Sequence, residues 1–525
     1  MIRFIFLSLL LAASGANAGP FKNLEDIRQN LGLAKLELGS SNRKVKVAVL
    51  DKGFFGFQKE LGRSLPASTV YSPGPLPSPE DLKIDHGLRM AQMLAGLYSR
   101  DPGRSEGLEL SLYNVFGYSN FKAAIDDVVR KRFDVVLYSE VWEYGGNGDG
   151  GGFINAQVNR AIRAGVLWVN AAGNFGRTTY NGSITTIGEN WVRLPDQNNG
   201  LKITCRAPEK RKCPIRVVLS WNDFKNDSEA GTNKDLDVAL LDDMMNVVQT
   251  STLKQSADRK EERPGYSKYP REIIEAQIDG GTFFIKVKDA SRNFTSRDRL
   301  RISVDGQGIE MARADLDENL LTPADNREAI VVGAIDSEKS SRSLRLGKPD
   351  LLAPSSVILD QGQGAEFRGS SNAAAFTAAA VALLKRRDPR LTRGGFLSQL
   401  RGFSWSEGNM SLQTLRFGPH QGGCFTEGQW QEAPPYIQQI LNAGGKLVQT
   451  TAGWRIMLPY DPVLLAPGRL QRSRPDDMIV ATESGLQVFS RYGMIPQGAA
   501  EVFQRPLEMG LCGRVDVTSG LMLGF

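Results

Sequence analysis

The sequence predicts an α/β fold: a parallel sheet with helices on both faces, interrupted by an inserted β-sandwich and followed by a small α+β C-terminal domain. Three observations carry this. Short, almost continuously apolar runs rich in β-branched residues recur at 45–50 (VKVAVL), 133–138 (FDVVLY), 166–172 (VLWVNAA) and 329–335 (AIVVGAI), as strands covered on both faces do. Helical spacing lies between them: Met90, Met93, Leu94 and Leu97 share one face, and 121–132 and 154–164 read as helices. Between Trp191 and Gly306 that spacing disappears, and strand-like runs at 215–221, 236–241, 273–278, 282–287 and 300–304 alternate with polar turns. The α/β pattern resumes near Leu321 and ends in an alanine-rich helix, 373–387. The expected divisions are a leader at 1–18, core segments at 19–190 and 307–400, the insert at 191–306 and an α+β region at 401–525.

The leader follows from Arg3, an apolar run at 4–13 too short to span a bilayer, and the small-x-small site Ala16-Asn17-Ala18. Cleavage after Ala18 predicts a secreted or periplasmic chain with no remaining membrane anchor; an uncleaved anchor is the alternative. With 525 residues, 41% of them hydrophobic, the chain has material for a large core. Its 64 Lys and Arg are interspersed with 58 Asp and Glu, so the net charge of +6 points to neither a nucleic-acid nor an anionic-membrane partner. Four cysteines without a CxxC and only two histidines argue against zinc. In an exported chain pairing is the expectation: Cys205 with Cys213 across a hairpin, and Cys424 with Cys512.

Four polar residues sit where chemistry gathers. Asp51 ends the strand VKVAVL, at the sheet edge where ligands bind in α/β folds; alone, an Asp there is an ordinary turn residue. His86 opens a helix, HGLRMAQMLAG, and competes with only His420 for the role of imidazole base. Asn174 lies in the turn VNAAGNFG. Ser371 stands in RGSSNAAAFTAAAVALL, where a helix N-terminus offers N–H groups to an anion; alone it would be an N-cap serine.

Taken in order, these settings resemble the subtilisin-like serine proteases. VAVLDKG resembles the family's aspartate motif, HGLRMAQMLAG its HGTHVAG, AAGNFG its oxyanion motif and GSSNAAAFTAAAVALL its GTSMAAPHVAGAAAL, while KPDLLAPS is similar to KPDxxAPG. The likeness covers residues 45–176 and 322–387. It implies that Ser371 attacks the scissile carbonyl, His86 moves the proton, Asp51 orients the imidazole, and Asn174 with the Ser371 N–H holds the oxyanion. It also implies protein or peptide substrates, with Ser139, Glu140, Val141 and Gly173 lining the substrate groove. Glu140 and Glu143 would then favour basic residues beside the scissile bond, and Val141 would narrow the pocket. Lys52, Arg89, Asn372 and Ala375-Phe376 depart from the motifs, and residues 19–44 are too few for the family's prodomain. The departures keep open the alternative of a catalytically inactive subtilase-like binding or scaffolding protein. No cofactor is required by this chemistry. The insert resembles sandwich domains of secreted subtilases, some of which bind calcium; Asp223, Asp235 and Asp237 are the candidate ligands, against a reading as solvated loop carboxylates. The glycine-rich stretch 145–152 lacks the Lys-Ser/Thr of a phosphate loop and is expected to flank the substrate as a flexible segment.

Overall fold

The computed structural model describes residues 20–36, 43–77, 83–105, 107–207, 211–258, 264–359, 364, 366–400, 404–407 and 410–417, and beyond these the strands 446–450, 453–457, 463–465, 477–482, 485–490 and 522–524. The leader and both Cys424 and Cys512 lie outside the described residues. Among the described residues no helix is long and apolar enough to cross a membrane.

The apolar runs become a seven-stranded sheet: β1 (Val45–Asp51), β2 (Val70–Ser72), β3 (Leu108–Asn114), β4 (Val135–Tyr138), β5 (Leu167–Ala171), β6 (Ile330–Ala334) and β7 (Leu351–Ala353). Their order is β2-β3-β1-β4-β5-β6-β7, and every neighbouring pair is parallel. The side-chain period of two divides β1 between the faces. Val45, Val47 and Val49 join a core with α1 (Leu24–Asn30), α2 (His86–Tyr98) and α5 (Ser370–Arg387). Ala48 and Leu50 join the opposite core with α3 (Gly117–Arg130) and α4 (Phe153–Arg163). Because β3 and β4 flank β1 on opposite sides, the strand order reverses at β1. The crevice of a doubly wound sheet therefore opens at the residue that ends it, Asp51.

Helix α5 is buried on every side. Ala373, Ala374, Ala375, Ala378, Ala379 and Ala380 have no exposed surface, and these small residues let the helix lie against both α2 and the sheet. Adding methylenes at such a position costs about 1–3 kcal/mol through overpacking. The KPD motif also serves the core: buried Lys348 pairs with Asp350 at 2.7 Å and donates to the Ala329 carbonyl at 2.9 Å, joining the approaches to β6 and β7.

Between β5 and β6 the chain builds two antiparallel sheets. One pairs Arg271–Ile278, Cys213–Trp221, Arg299–Asp305 and Thr179–Ser183; the other contains Val247–Ser251, Leu236–Leu241, Gly281–Asp289, Leu201–Cys205 and Ile309–Met311. Val217, Leu219 and Ile302 of the first sheet share one apolar core with Val238, Leu240 and Ile285 of the second, so the two pack face to face. Its outermost strands lie beyond the expected limits of Trp191 and Gly306. Thr179–Ser183 (TYNGS) carries little apolar alternation and becomes a strand through its pairing with Arg299–Asp305.

The Cys205–Cys213 bridge forms, but it does not cross a hairpin. Cys205 ends a strand of one sheet and Cys213 begins a strand of the other, so the bond ties the two sheets together. The second core segment ends with α6 (Arg393–Leu397), and the hairpin Ser404–Glu407 and Met410–Gln413 follows it. Closing a loop over a sequence separation of 8 residues restricts the unfolded chain, and the double replacement Cys205→Ser, Cys213→Ser should lower sandwich stability by about 2.5 kcal/mol. Urea unfolding followed by tryptophan fluorescence measures this, and an unchanged midpoint would contradict it.

Candidate active site

Asp51 is fully buried at the end of β1 and is met by three donors. His86 Nδ1 lies 3.0 Å from Oδ1 and 2.9 Å from Oδ2, the Ser139 hydroxyl donates to Oδ2 at 2.5 Å, and the Lys52 N–H donates to Oδ1 at 2.8 Å. His86 reaches this position as the first residue of α2, which approaches β1 closely because residue 87 is glycine. A Cβ there would stand 2.6 Å from the Cβ of Asp51. Arg89, one turn on, pairs with Asp85 at 2.8 Å and lies over the Phe367 ring, whose edge-to-face neighbour is His86.

Burial disfavours the charged forms of both partners. For Asp51 the opposing causes win: His86, Ser139 and the Lys52 N–H hold its carboxyl below the usual range. For His86, burial is outweighed by Asp51, with Glu140 assisting and Lys52 opposing, so the imidazole is raised above its ordinary value. The pair titrates as a unit, with the ion-paired form favoured between its two transitions.

Ser371, the second residue of α5, lies on the same cavity as His86, Ser139, Glu140, Val141, Gly173 and Asn174. Its hydroxyl donates to the Ser139 carbonyl at 2.9 Å, and no bond to His86 is formed. Asn174 accepts through Oδ1 from both the N–H and the hydroxyl of Ser370, each at 3.1 Å. Gly369, at φ +150°, brings the chain past Asn174 so closely that a Cβ would lie 3.2 Å from Nδ2. Asn372 is buried and donates to the carbonyls of Ser355 and Phe367, fixing the approach to α5.

The groove residues also assemble. A Cβ on Gly173 (φ +92°) would lie 3.3 Å from Val141 Cγ2, so the valine stands against the glycine. The unopposed negative charge expected there is absent. Burial raises the Glu140 carboxyl, but Lys52 sits 2.6 Å away and opposes the shift, and Glu143 pairs with Arg216 at 3.2 Å. The glycine-rich stretch is likewise no flexible flank: Asn147 exchanges hydrogen bonds with the Phe224 backbone, and the Gly152 N–H donates to Asn226, so the insert docks on it.

The calcium ligands are not gathered: Asp223 is held by Thr232 at 2.5 Å and Lys225 at 2.7 Å, and although burial, Asp237 and Asp289 push the Asp235 carboxyl up to about 6, among the described residues these carboxylates do not bring three ligand atoms within 4.8 Å of one another. Among the described residues one trio, Asp51, His86 and Glu140, brings potential ligand atoms within 4.8 Å of one another. Its members are already bonded within the dyad and to Lys52, so the set fits a proton-transfer pair better than an ion.

Sequence reasoning missed Ser370, which anchors Asn174, and the insert residues Arg206, Arg216, Glu275 and Met311, which line the same cavity. The unusual Ser-Ser pair marked the first; nothing local marked the others.

The profile of the subtilase family matches residues 42–254 and 306–400, more than half of the chain. Among solved structures the chain is similar to the CspB protease of Clostridium perfringens, at 14% identity over 74% of this chain and 96% of that one, with a TM-score of 0.45. It is similar also to the nisin leader peptidase NisP of Lactococcus lactis, at 14% identity over 77% and 93%, with a TM-score of 0.35. No curated protein matches the chain in sequence.

Asp51→Asn should move the titration midpoint of His86 downward by at least about one pH unit, toward the ordinary 6.5. Imidazole NMR reads this directly, since His420 is the one other histidine and His420→Gln removes its signal. Removing the anion thus gives more neutral base at pH 7, while activity should fall because the ring loses its orientation. A midpoint that does not move would contradict the electrostatic reading.

Proposed function

The chain belongs to the subtilase family, and on that premise we propose that it is an exported serine endopeptidase in which Asp51, His86 and Ser371 act as a catalytic triad. The observation that carries the reading is the bond from buried Asp51 to half-buried His86, whose ring lines the same cavity as Ser371. On substrate binding, Ser371 exchanges the Ser139 carbonyl for His86 Nε2 as its acceptor; such contacts are commonly completed only in the enzyme–substrate complex. Oγ attacks the scissile carbonyl carbon as its proton passes to Nε2. The C–N bond then breaks, the proton goes to the leaving amine, and water repeats the sequence on the acyl-enzyme. The base is the neutral form of His86, whose one proton Asp51 holds on Nδ1 so that Nε2 is free to accept, and the same carboxylate stabilises the imidazolium that forms.

The charge on the carbonyl oxygen is assigned to two donors, the Ser371 N–H and Asn174 Nδ2. The first belongs to the opening turn of α5, where an N–H has no intrahelical acceptor and the helix dipole favours an anion. The second is oriented through Oδ1, which Ser370 occupies, leaving the amide NH2 to donate. Ser139, Glu140, Val141 and Gly173 form the pocket for the residue at the scissile bond, and the valine restricts it to small or slender side chains. The steps use protein groups alone, and the leader pattern at 1–18 supports export from the cytoplasm.

Ser371→Ala should abolish hydrolysis of a fluorogenic peptide amide with an unchanged circular-dichroism spectrum. Asn174→Ala should lower kcat by about 10²–10³-fold with a smaller change in KM, the size expected for one oxyanion donor in a subtilisin-like site. Turnover surviving in the serine variant would overturn the assigned nucleophile.

A further inference from the structure

We propose that the inserted sandwich is the second wall of the substrate cleft and reads residues of an extended polypeptide beyond those at the scissile bond. The proposal rests on the peptidase reading and adds a substrate class to it: unfolded or linear segments long enough to reach the insert. A single cavity of about 1400 Å³ holds both His86 and Ser371 and, from the insert, Arg206, Arg216, Glu275 and Met311. A folded substrate would have to thread between two walls, whereas an extended strand needs only its own width.

Arg216 stands where the walls meet. It projects from the strand Cys213–Trp221 and donates through Nε to Glu143 at 3.2 Å, three residues beyond Glu140 on the core side. It also pairs with Glu275 on the neighbouring strand Arg271–Ile278. Glu143 is largely buried, so this link is screened less than a surface pair. The cavity lined by Ser139–Val141 thus also contains a guanidinium fixed between two carboxylates, which an extended substrate entering from the core side can reach.

The wall is braced from behind. The Arg206 N–H donates to the Gly308 carbonyl at 2.8 Å, a Cβ on Gly308 would lie 3.8 Å from Cys213 Sγ, and Ile309 is in register with Cys205. The disulfide thus lies directly behind the turn that faces the cavity. A preorganised wall lets contacts remote from the reacting atoms be expressed in turnover rather than lost to ordering.

The test compares the full chain with Arg216→Ala and with Cys205→Ser, Cys213→Ser on a short acyl ester and on peptide amides of increasing length. In the wild type kcat/KM should rise with length, and in each variant the ratio of long-peptide to ester kcat/KM should fall roughly tenfold or more. A wild type indifferent to length, or a ratio unchanged in both variants, would overturn the proposal. A second measurement separates this from the peptidase reading: fluorescence anisotropy of a labelled long peptide on Ser371→Ala, with and without Arg216→Ala. Affinity weakened by the arginine change upholds the wall even if no ester is hydrolysed, and equal affinity overturns it even if esters are hydrolysed normally.

Discussion

The burial of one carboxylate constrains the rest of this site. An ionised group removed from water costs several kcal/mol unless hydrogen bonds and an opposite charge replace its hydration. Asp51 obtains these from three separate places in the chain: the next peptide N–H, the Ser139 hydroxyl after β4 and the imidazole opening α2. Each donor fixes an element. Together they set the spacing of β1, β4 and α2 and require a glycine at 87, where a side chain would push the helix away.

The serine side depends on α5 in the same manner. Its alanines let it sit against α2 and the sheet, which brings Ser371 to the crevice that His86 lines in front of the buried Asp51. Ser370, Asn174 and Asn372 then hold the first turn from both flanks. Asn372 shows how a departure from the family motif is accommodated: an amide bonded to two carbonyls does by hydrogen bonding what a larger apolar side chain would do by packing.

Much of this was legible in the sequence because it is written locally. Apolar runs with β-branched residues announce covered strands, and the parallel sheet followed from their alternation with helices. Asp51, His86, Asn174 and Ser371 were visible because each occupies a short motif at a strand end or helix start. What stayed hidden depends on residues far apart in the chain. The partner of Glu143 is Arg216, 73 residues away. Two carboxylates that read as bare charge are in fact paired with cations. The disulfide was legible as a pair, but its crossing between sheets was not, since eight residues of separation suit a hairpin and an arch equally. The strand at Thr179–Ser183 has no pattern of its own and exists only through its neighbour.

The most direct test of the triad is the site and rate of reaction with a fluorophosphonate, which modifies an activated serine hydroxyl and no resting one. Mass spectrometry of the labelled chain should place a single adduct on Ser371 and none on the adjacent Ser370. Asp51→Asn should slow its formation by about 10⁴-fold, the penalty for an imidazole held in the wrong tautomer. An adduct on Ser370, or equal rates with and without the Asp51 carboxylate, would contradict the account.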